Sequence, residues 1–224
     1  MDSKFLNLSV GDWREVMIHT LGPSGTSSEA AAGFFTEWLG QRFPESQVQI
    51  NLSDSYEHAC SAMDERIPGV LIVANAYPQI HNFYMNPRLS LVATFVFDTP
   101  EYGLVSKGPL TTRKLTIATH PAPLMLIQEL LPDGLEVDSV IFSLSTSAAA
   151  AAVARGEVDV ALTTEVAAHI HGLQFISKTR PIRMLWSVFA PIQWSTQPVE
   201  VSARWRLFPK HKGTWSSRAA PNHF

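Results

Sequence analysis

The sequence predicts an α/β fold of two lobes with a cleft between them, on three observations. Short apolar, β-branched runs alternate with helical patterns along most of the chain, at the spacing of strand–helix–strand units. The rhythm breaks once near the middle, where the runs 91–97 and 102–106 are joined only by Asp98-Thr99-Pro100-Glu101, too short for a helical crossover. A second strand–helix series follows, and each series contains a hydroxyl-rich turn that opens onto an alanine-rich helix.

The first strand, 16–21, runs into the turn Gly22-Pro23-Ser24-Gly25, where the glycines lift the Cβ barrier and Pro23 stiffens the bend. Thr26, Ser27 and Ser28 then open a helix over 28–42. They either cap its first turn or donate hydroxyl hydrogen bonds beside N–H groups that have no helical partner. Strands follow at 48–52, 70–74 and 91–97, with a helix at 55–65. The link 98–101 is expected to hold an antiparallel element or a hinge. Beyond it come strands at 102–106, 115–118, 137–142, 158–162 and 173–176, with helices at 123–131, 147–155 and 164–171. The run 184–189 returns to the first lobe. The strands should be largely parallel, with lobe one at about 14–96 plus 174–191 and lobe two at about 97–173. The segment 192–224 is different: prolines, Arg204, Arg206, Lys210, Lys212 and Arg218 stand against one acid, Glu200. It reads as a poorly ordered tail, the alternative being a basic, tryptophan-dotted arm for an anionic partner.

Composition narrows the function classes. The 224 residues are 46% apolar and 17% charged, which is globular composition able to bury a sizeable core. A net charge of -3 gives no pull toward nucleic acid. Cys60 is the single cysteine, so an internal disulfide or a cysteine-based metal cluster is excluded and a reducing compartment fits. The N-terminus lacks the plan of a signal peptide, and no apolar run approaches the roughly 20 residues that span a bilayer. The expectation is a cytoplasmic protein with no membrane contact.

Polar clusters fall where α/β folds place ligands, at strand ends. They are the turn with Gly25, Thr26, Ser27 and Ser28; the stretch Asn75, Tyr77, His81, Asn82 and Tyr84; Thr119-His120-Pro121; Ser143 to Ser147; and Thr163-Thr164-Glu165. Any one of them serves equally as a helix cap or a turn. Two hydroxyl-rich helix starts facing each other from opposite lobes suit a small molecule with two anionic groups. His169 and His171, two apart on a helix, read as solvated, and no set of residues has metal-ligand spacing. Neither a Walker lysine nor a Gly-x-Ser-x-Gly elbow is present. The residues alone give a cleft for a small polyanion and no reaction.

A resemblance supplies the reaction. Gly22-Pro23-x-Gly25-Thr26-x-Ser28-Glu29-Ala30-Ala31 resembles the opening signature of prephenate dehydratases, and Thr119-His120-Pro121, Ser145-Thr146-Ser147-Ala148-Ala149 and the stretch 159–173 resemble later blocks in the same order. The likeness covers about 16–191. It implies the two-lobed fold of type II periplasmic binding proteins. A regulatory ACT domain, with feedback by phenylalanine, is not expected here.

The departures are more specific. Met184-Leu185-Trp186-Ser187-Val188-Phe189 stands where dehydratases carry Thr-Arg-Phe, whose threonine is thought to protonate the departing hydroxyl. Val73-Ala74-Asn75-Ala76-Tyr77 replaces Pro-Ile-Glu-Asn-Ser. With Asn82-Phe83-Tyr84-Met85, Asp98-Thr99-Pro100-x-Tyr102-Gly103-Leu104 and Ala161-Leu162-Thr163, these blocks are similar to the non-aromatizing prephenate decarboxylases. Those enzymes open routes to bacilysin, to the Choi residue of aeruginosins and to the cyclohexenyl unit of salinosporamide. The resemblance therefore implies a carboxy-lyase of antibiotic and secondary-metabolite biosynthesis. It converts prephenate to CO2 and a non-aromatic dihydro-4-hydroxyphenylpyruvate. The readings set beside it are a dehydratase that yields phenylpyruvate and a non-catalytic anion-binding protein.

On this resemblance Gly25 to Ser28 and Ser145 to Ser147 anchor the side-chain oxygens, with Asn75, Tyr77, Thr119, Thr163 and Ser187 as further contacts. Phe83, Met85 and Trp186 form an apolar wall against the ring carboxylate. Tyr84, His120 or His81, or a water they hold, delivers the ring proton. No cofactor and no metal are called for, because the ring accepts the electrons. A homodimer and contact with downstream pathway enzymes are compatible with the reading.

Overall fold

The computed structural model describes residues 15–63 and 67–194. In chain order its first half holds β1 (Glu15–Leu21), α1 (Ser27–Arg42), β2 (Gln47–Ser53), α2 (Tyr56–Ser61), β3 (Gly69–Ala74), α3 (His81–Tyr84) and β4 (Leu89–Asp98). The second half holds β5 (Tyr102–Ser106), β6 (Lys114–Thr119), α4 (Leu126–Leu130), β7 (Glu136–Phe142), α5 (Thr146–Arg155), β8 (Val160–Thr164), α6 (Glu165–Ile170), β9 (Gln174–Phe175) and β10 (Arg183–Pro191). A 3-10 turn at Ile192–Trp194 ends the described chain, so the remainder of the expected tail, with its basic arm, lies outside the described residues.

The strands form two five-stranded sheets, ordered β2-β1-β3-β10-β4 and β7-β6-β8-β5-β9. Strand β1 runs parallel to β2 and β3, and β6 runs parallel to β7 and β8. The other pairings are antiparallel: β10 with β3 and β4, β5 with β8 and β9. The sheets are thus mixed rather than largely parallel. The cause is the double crossing between them: β4 leaves the first sheet, β10 re-enters beside it, and both lack a helical crossover that would force parallel pairing. The link at 98–101 carries the chain from one sheet to the other, since β4 and β5 lie in different sheets.

The boundary expected near residue 174 moves. Val105 of β5 pairs with Phe175 of β9, so 174–175 belong to the second sheet and the return to the first comes after them. Gly103 permits this packing. A Cβ there would stand 2.6 Å from the Phe175 ring. Three helices also differ from expectation. The second is described only as Tyr56–Ser61, and α4 begins at Leu126, after a succession of turns over 122–125. The four-residue α3 has no periodic signature long enough to read.

Both lobes bury an α1- or α5-type face on a sheet. In α1, Ala31, Ala32, Phe35 and Leu39 are fully buried, and Phe35 stacks on Phe95 of β4 at 5.8 Å. In α5 the small residues Ala149 and Ala150 let the helix approach Val105, Ala118 and Ala161 closely. A histidine is buried inside the first lobe. His19 is 4% exposed, and its Nδ1 accepts from Asn51 Nδ2 at 3.1 Å, so Nε2 carries the hydrogen.

Burial holds the His19 pKa below its ordinary 6.5. The unfolded chain therefore binds a proton that the folded one refuses once the pH falls below 6.5. The stability this neutral histidine contributes is intact above that pH and declines as pH drops toward the lowered folded value. Thermal unfolding at pH 7.5 and 5.5 should show a lower Tm in acid. The difference should shrink in His19→Gln.

Candidate active site

The two sheets wall a cleft of about 660 Å³, a volume suited to a small organic molecule. Local chemistry shapes its first wall. Gly25 turns the chain at φ +87, a left-handed conformation. The Gly25 N–H and Ser24 hydroxyl donate to the Glu29 carboxylate at 2.7 and 2.8 Å, while Thr26 Oγ1 accepts from Glu29 N at 3.2 Å. This reciprocal cap consumes the Glu29 amide and leaves the first-turn N–H groups of Ser27 and Ser28 without an intrahelical partner. Thr26, Ser27 and Ser28 all line the cleft.

The opposing wall repeats the device. Ser145 Oγ accepts from Ala148 N at 3.0 Å as the cap of α5, and Ser145 and Thr146 line the cleft. Other hydroxyls in this region hold the frame. Ser147 is 1% exposed and donates to the Ser24 carbonyl at 2.7 Å; Thr164 donates to the Gly25 carbonyl at 2.7 Å. The Thr163 hydroxyl donates to the Thr146 carbonyl at 2.8 Å, and that of Thr119 to the Leu162 carbonyl at 3.3 Å. Gly25, Ser147, Thr119 and Thr163 thus stand behind the cleft rather than in it.

Thr163 fixes the start of α5 from beneath. Thr163→Val keeps the shape and removes the bond, which is expected to cost about 1 kcal/mol of stability. The same variant should raise KM several-fold with little change in kcat, which steady-state kinetics and a thermal melt would check together.

Tyrosines occupy the floor. The Tyr56 hydroxyl accepts from Ala74 N at 3.3 Å and shares a hydrogen bond with the Ser28 hydroxyl, 2.8 Å away. Burial pushes this phenol up to about 12. Tyr102, 6% exposed, places its hydroxyl 2.8 Å from Ser27 Oγ, and burial raises its pKa as well. Tyr77 lines the cleft but donates outward to Glu57 Oε1 at 2.8 Å; burial and then that carboxylate push it to about 12. Protons on all three phenols are held more tightly than usual.

At the second-sheet rim, Nδ1 of His120 accepts from Ala122 N at 3.2 Å. The ring is thereby fixed with its hydrogen on Nε2, and burial holds its pKa below 6.5. Met184 and Trp186 of β10 complete an apolar side with Ile182, Pro121 and Pro123. No lysine or arginine is among the described residues that line the cleft. Among the described residues, no group of three His, Cys, Asp or Glu side chains is placed to hold a metal ion. Nor, among them, is any helix long and apolar enough to cross a membrane.

Several expected site residues lie elsewhere. Alternation along β10 turns Met184 and Trp186 into the cleft and Ser187 to the other face, where it is fully buried. There Tyr84 donates to Ser187 Oγ (2.7 Å), Ser187 donates to Asn75 Oδ1 (2.9 Å), and Asn75 Nδ2 donates to the Tyr84 hydroxyl (3.4 Å). This closed ring fastens α3 to β10 and does not line the cleft. Phe83 is buried against Phe189 in the core, Met85 is 77% exposed, and His81 is exposed at the start of α3. Of the three candidate proton donors, only His120 lines the cleft. Conversely, Tyr56 and Tyr102 were not anticipated. Their signal, a lone phenol at the edge of an apolar run beside a hydroxyl cluster, is too common to single out.

No protein-family model matches the chain. It is 35% identical to a prephenate decarboxylase of Planktothrix agardhii over 183 residues, 80% of this chain and 89% of that protein. To a prephenate decarboxylase of Bacillus amyloliquefaciens it is 38% identical over 180 residues, 78% of this chain and 86% of the other. Among solved structures, prephenate dehydratase from Arthrobacter aurescens in complex with L-Phe aligns at a TM-score of 0.57 and 14% identity. That alignment takes in 79% of this chain and 60% of the dehydratase. A periplasmic substrate-binding protein of an ABC transporter from Coxiella burnetii aligns at 0.51 and 15% identity, covering 82% and 87%. At such identities these two speak for the fold alone: an α/β scaffold shared with dehydratase and periplasmic-binding domains.

Proposed function

The chain belongs to the prephenate decarboxylase family, and from that premise we propose that it converts prephenate to CO2 and a dihydro-4-hydroxyphenylpyruvate that keeps its ring hydroxyl. Family membership carries the reading. The cleft supports it. Prephenate is a dianion, with one carboxylate on the ring and one on a pyruvyl side chain. The starts of α1 and α5, with Thr26, Ser27, Ser28, Ser145 and Thr146, offer N–H and hydroxyl donors that suit the pyruvyl end. The apolar side formed by Met184 and Trp186 suits the ring.

The reaction follows from that polarity. A carboxylate held by strong donors is stabilised and resists loss; one placed against apolar side chains gives up its charge as neutral CO2 more readily. The ring carboxylate therefore departs and the pyruvyl one stays. The C–CO2 electron pair enters the ring. In a dehydratase those electrons would expel the hydroxyl with help from an acid. Here they are quenched by a proton on a ring carbon, delivered by His120 or by a water it holds. Loss of the hydroxyl is downhill, so retaining it requires that no acid reach that oxygen. No cofactor takes part, because the conjugated ring is itself the electron sink.

Purified protein incubated with prephenate in deuterated water and followed by proton NMR tests this. The expected result is CO2 release and a non-aromatic product carrying one deuterium on the ring. Phenylpyruvate as the main product, or prephenate bound but unconsumed, would overturn it.

A further inference from the structure

Tyr102 belongs to β5, yet its hydroxyl crosses to the first lobe and bonds Ser27 Oγ at 2.8 Å. The Thr146 side chain stands beside it and favours the ionised phenol. Ser27 and Thr146 are the first residues of α1 and α5, so this phenol is the point at which the two hydroxyl-rich helix starts meet. All three side chains line the cleft. Three hydroxyls bring three protons, and the bond between Ser27 and Tyr102 uses one. The others are left for a guest. No lysine or arginine is among the described lining residues to neutralise a carboxylate at this spot.

Resting on the decarboxylase reading above, we infer that Tyr102 is a substrate-binding residue: its hydroxyl, with those of Ser27 and Thr146, grips the α-keto carboxylate that survives the reaction. The trio makes the floor a receptor for 2-oxo acids as a class. It decides which of the two carboxylates of the substrate is kept. Because the grip is the same before and after CO2 leaves, it strengthens ground state and transition state alike and shows in KM rather than kcat. A phenol that holds its proton tightly remains a donor here and does not surrender it to the substrate.

Phenylpyruvate is the probe, since it carries the 2-oxo acid without the scissile group and its binding needs no turnover. Calorimetry with Tyr102→Phe should show its Kd raised by about ten- to a hundredfold, the range of a lost hydrogen bond to a charged group. Phenylacetone, which lacks the carboxylate, should bind both proteins equally. With prephenate, Tyr102→Phe should raise KM by a similar factor and keep kcat within about threefold. Should this variant be recovered unfolded, 3-fluorotyrosine at position 102 keeps the shape while making the phenol a stronger donor, and phenylpyruvate should then bind several-fold tighter. Unchanged Kd in either protein would overturn the assignment, as would a fall in kcat at constant KM, which would make Tyr102 a proton donor instead. Failure of wild-type protein to consume prephenate would sink the decarboxylase reading by itself, whatever phenylpyruvate does.

Discussion

Replacing His120 by glutamine is expected to lower kcat by about 10² to 10⁴, the usual worth of a positioned acid. The stability of the protein should barely change, since the ring sits at the rim of the cleft. Sign and position on the pH axis follow from burial. In the free protein burial holds the imidazole below its ordinary 6.5, and protonating it makes Nδ1 give up the Ala122 N–H bond, so the acid form becomes scarce as the pH rises toward neutrality. The kcat/KM profile should therefore fall with rising pH through that lowered value. A dianionic substrate favours the imidazolium, so the limb in kcat should lie at higher pH than the limb in kcat/KM. In His120→Gln both limbs should vanish. A variant with wild-type kcat and an unaltered profile would remove His120 from the chemistry. The fraction of phenylpyruvate is a second readout: with ring protonation slowed, hydroxyl loss competes better, and any aromatic product should rise.

Gly25→Ala is expected to be nearly as damaging, through backbone rather than chemistry. The residue sits at φ +87, and a Cβ there would meet the Ala167 Cα at 3.0 Å, its Cβ at 3.2 Å and the Ile170 Cδ1 at 3.1 Å. Two of these contacts are with a helix that cannot step aside. Holding a non-glycine residue in such a conformation costs about 1–3 kcal/mol. The turn must lift off α6, taking with it the Gly25 carbonyl that Thr164 holds and the Ser27 and Ser28 amides that follow. A displacement of about 1 Å at a binding group commonly lowers the rate about 10²-fold, and kcat/KM should fall by that order. Gly33→Ala is the internal comparison. It lies mid-helix with nothing within 4 Å of the added carbon, and should raise Tm slightly with unchanged kinetics. Equal behaviour of the two variants would refute the role given to the turn.

What was readable in the chain was the locally determined part. Gly25, Thr26 and Glu29 dictate a capped turn by their own chemistry, and Ser145 before Thr146 and the alanines does the same, so both helix starts could be placed from residues alone. Sheet membership was less legible, because the short β9 has too few residues to reveal its partner. The face of a strand was hidden altogether. Trp186 and Ser187 are neighbours in sequence, but which of them enters the cleft depends on the register of β10 against Ala74 and Val73. The same ambiguity misplaced Tyr84 and His81, whose short helix gives no period by which to orient it. Tyr102 escaped for a different reason: its significance rests on Ser27, 75 positions away, and only folding brings the two together.

Ser147, Thr164 and Tyr102, all from the second lobe, are tied to the Ser24, Gly25 and Ser27 side of the first. These bonds join the two lobes along one side with no guest present, so part of the mould that a guest needs is set before it arrives. An unaromatised intermediate gains from such a seam, because every contact fixed in advance is one that water and stray acids do not have to be excluded from afterwards.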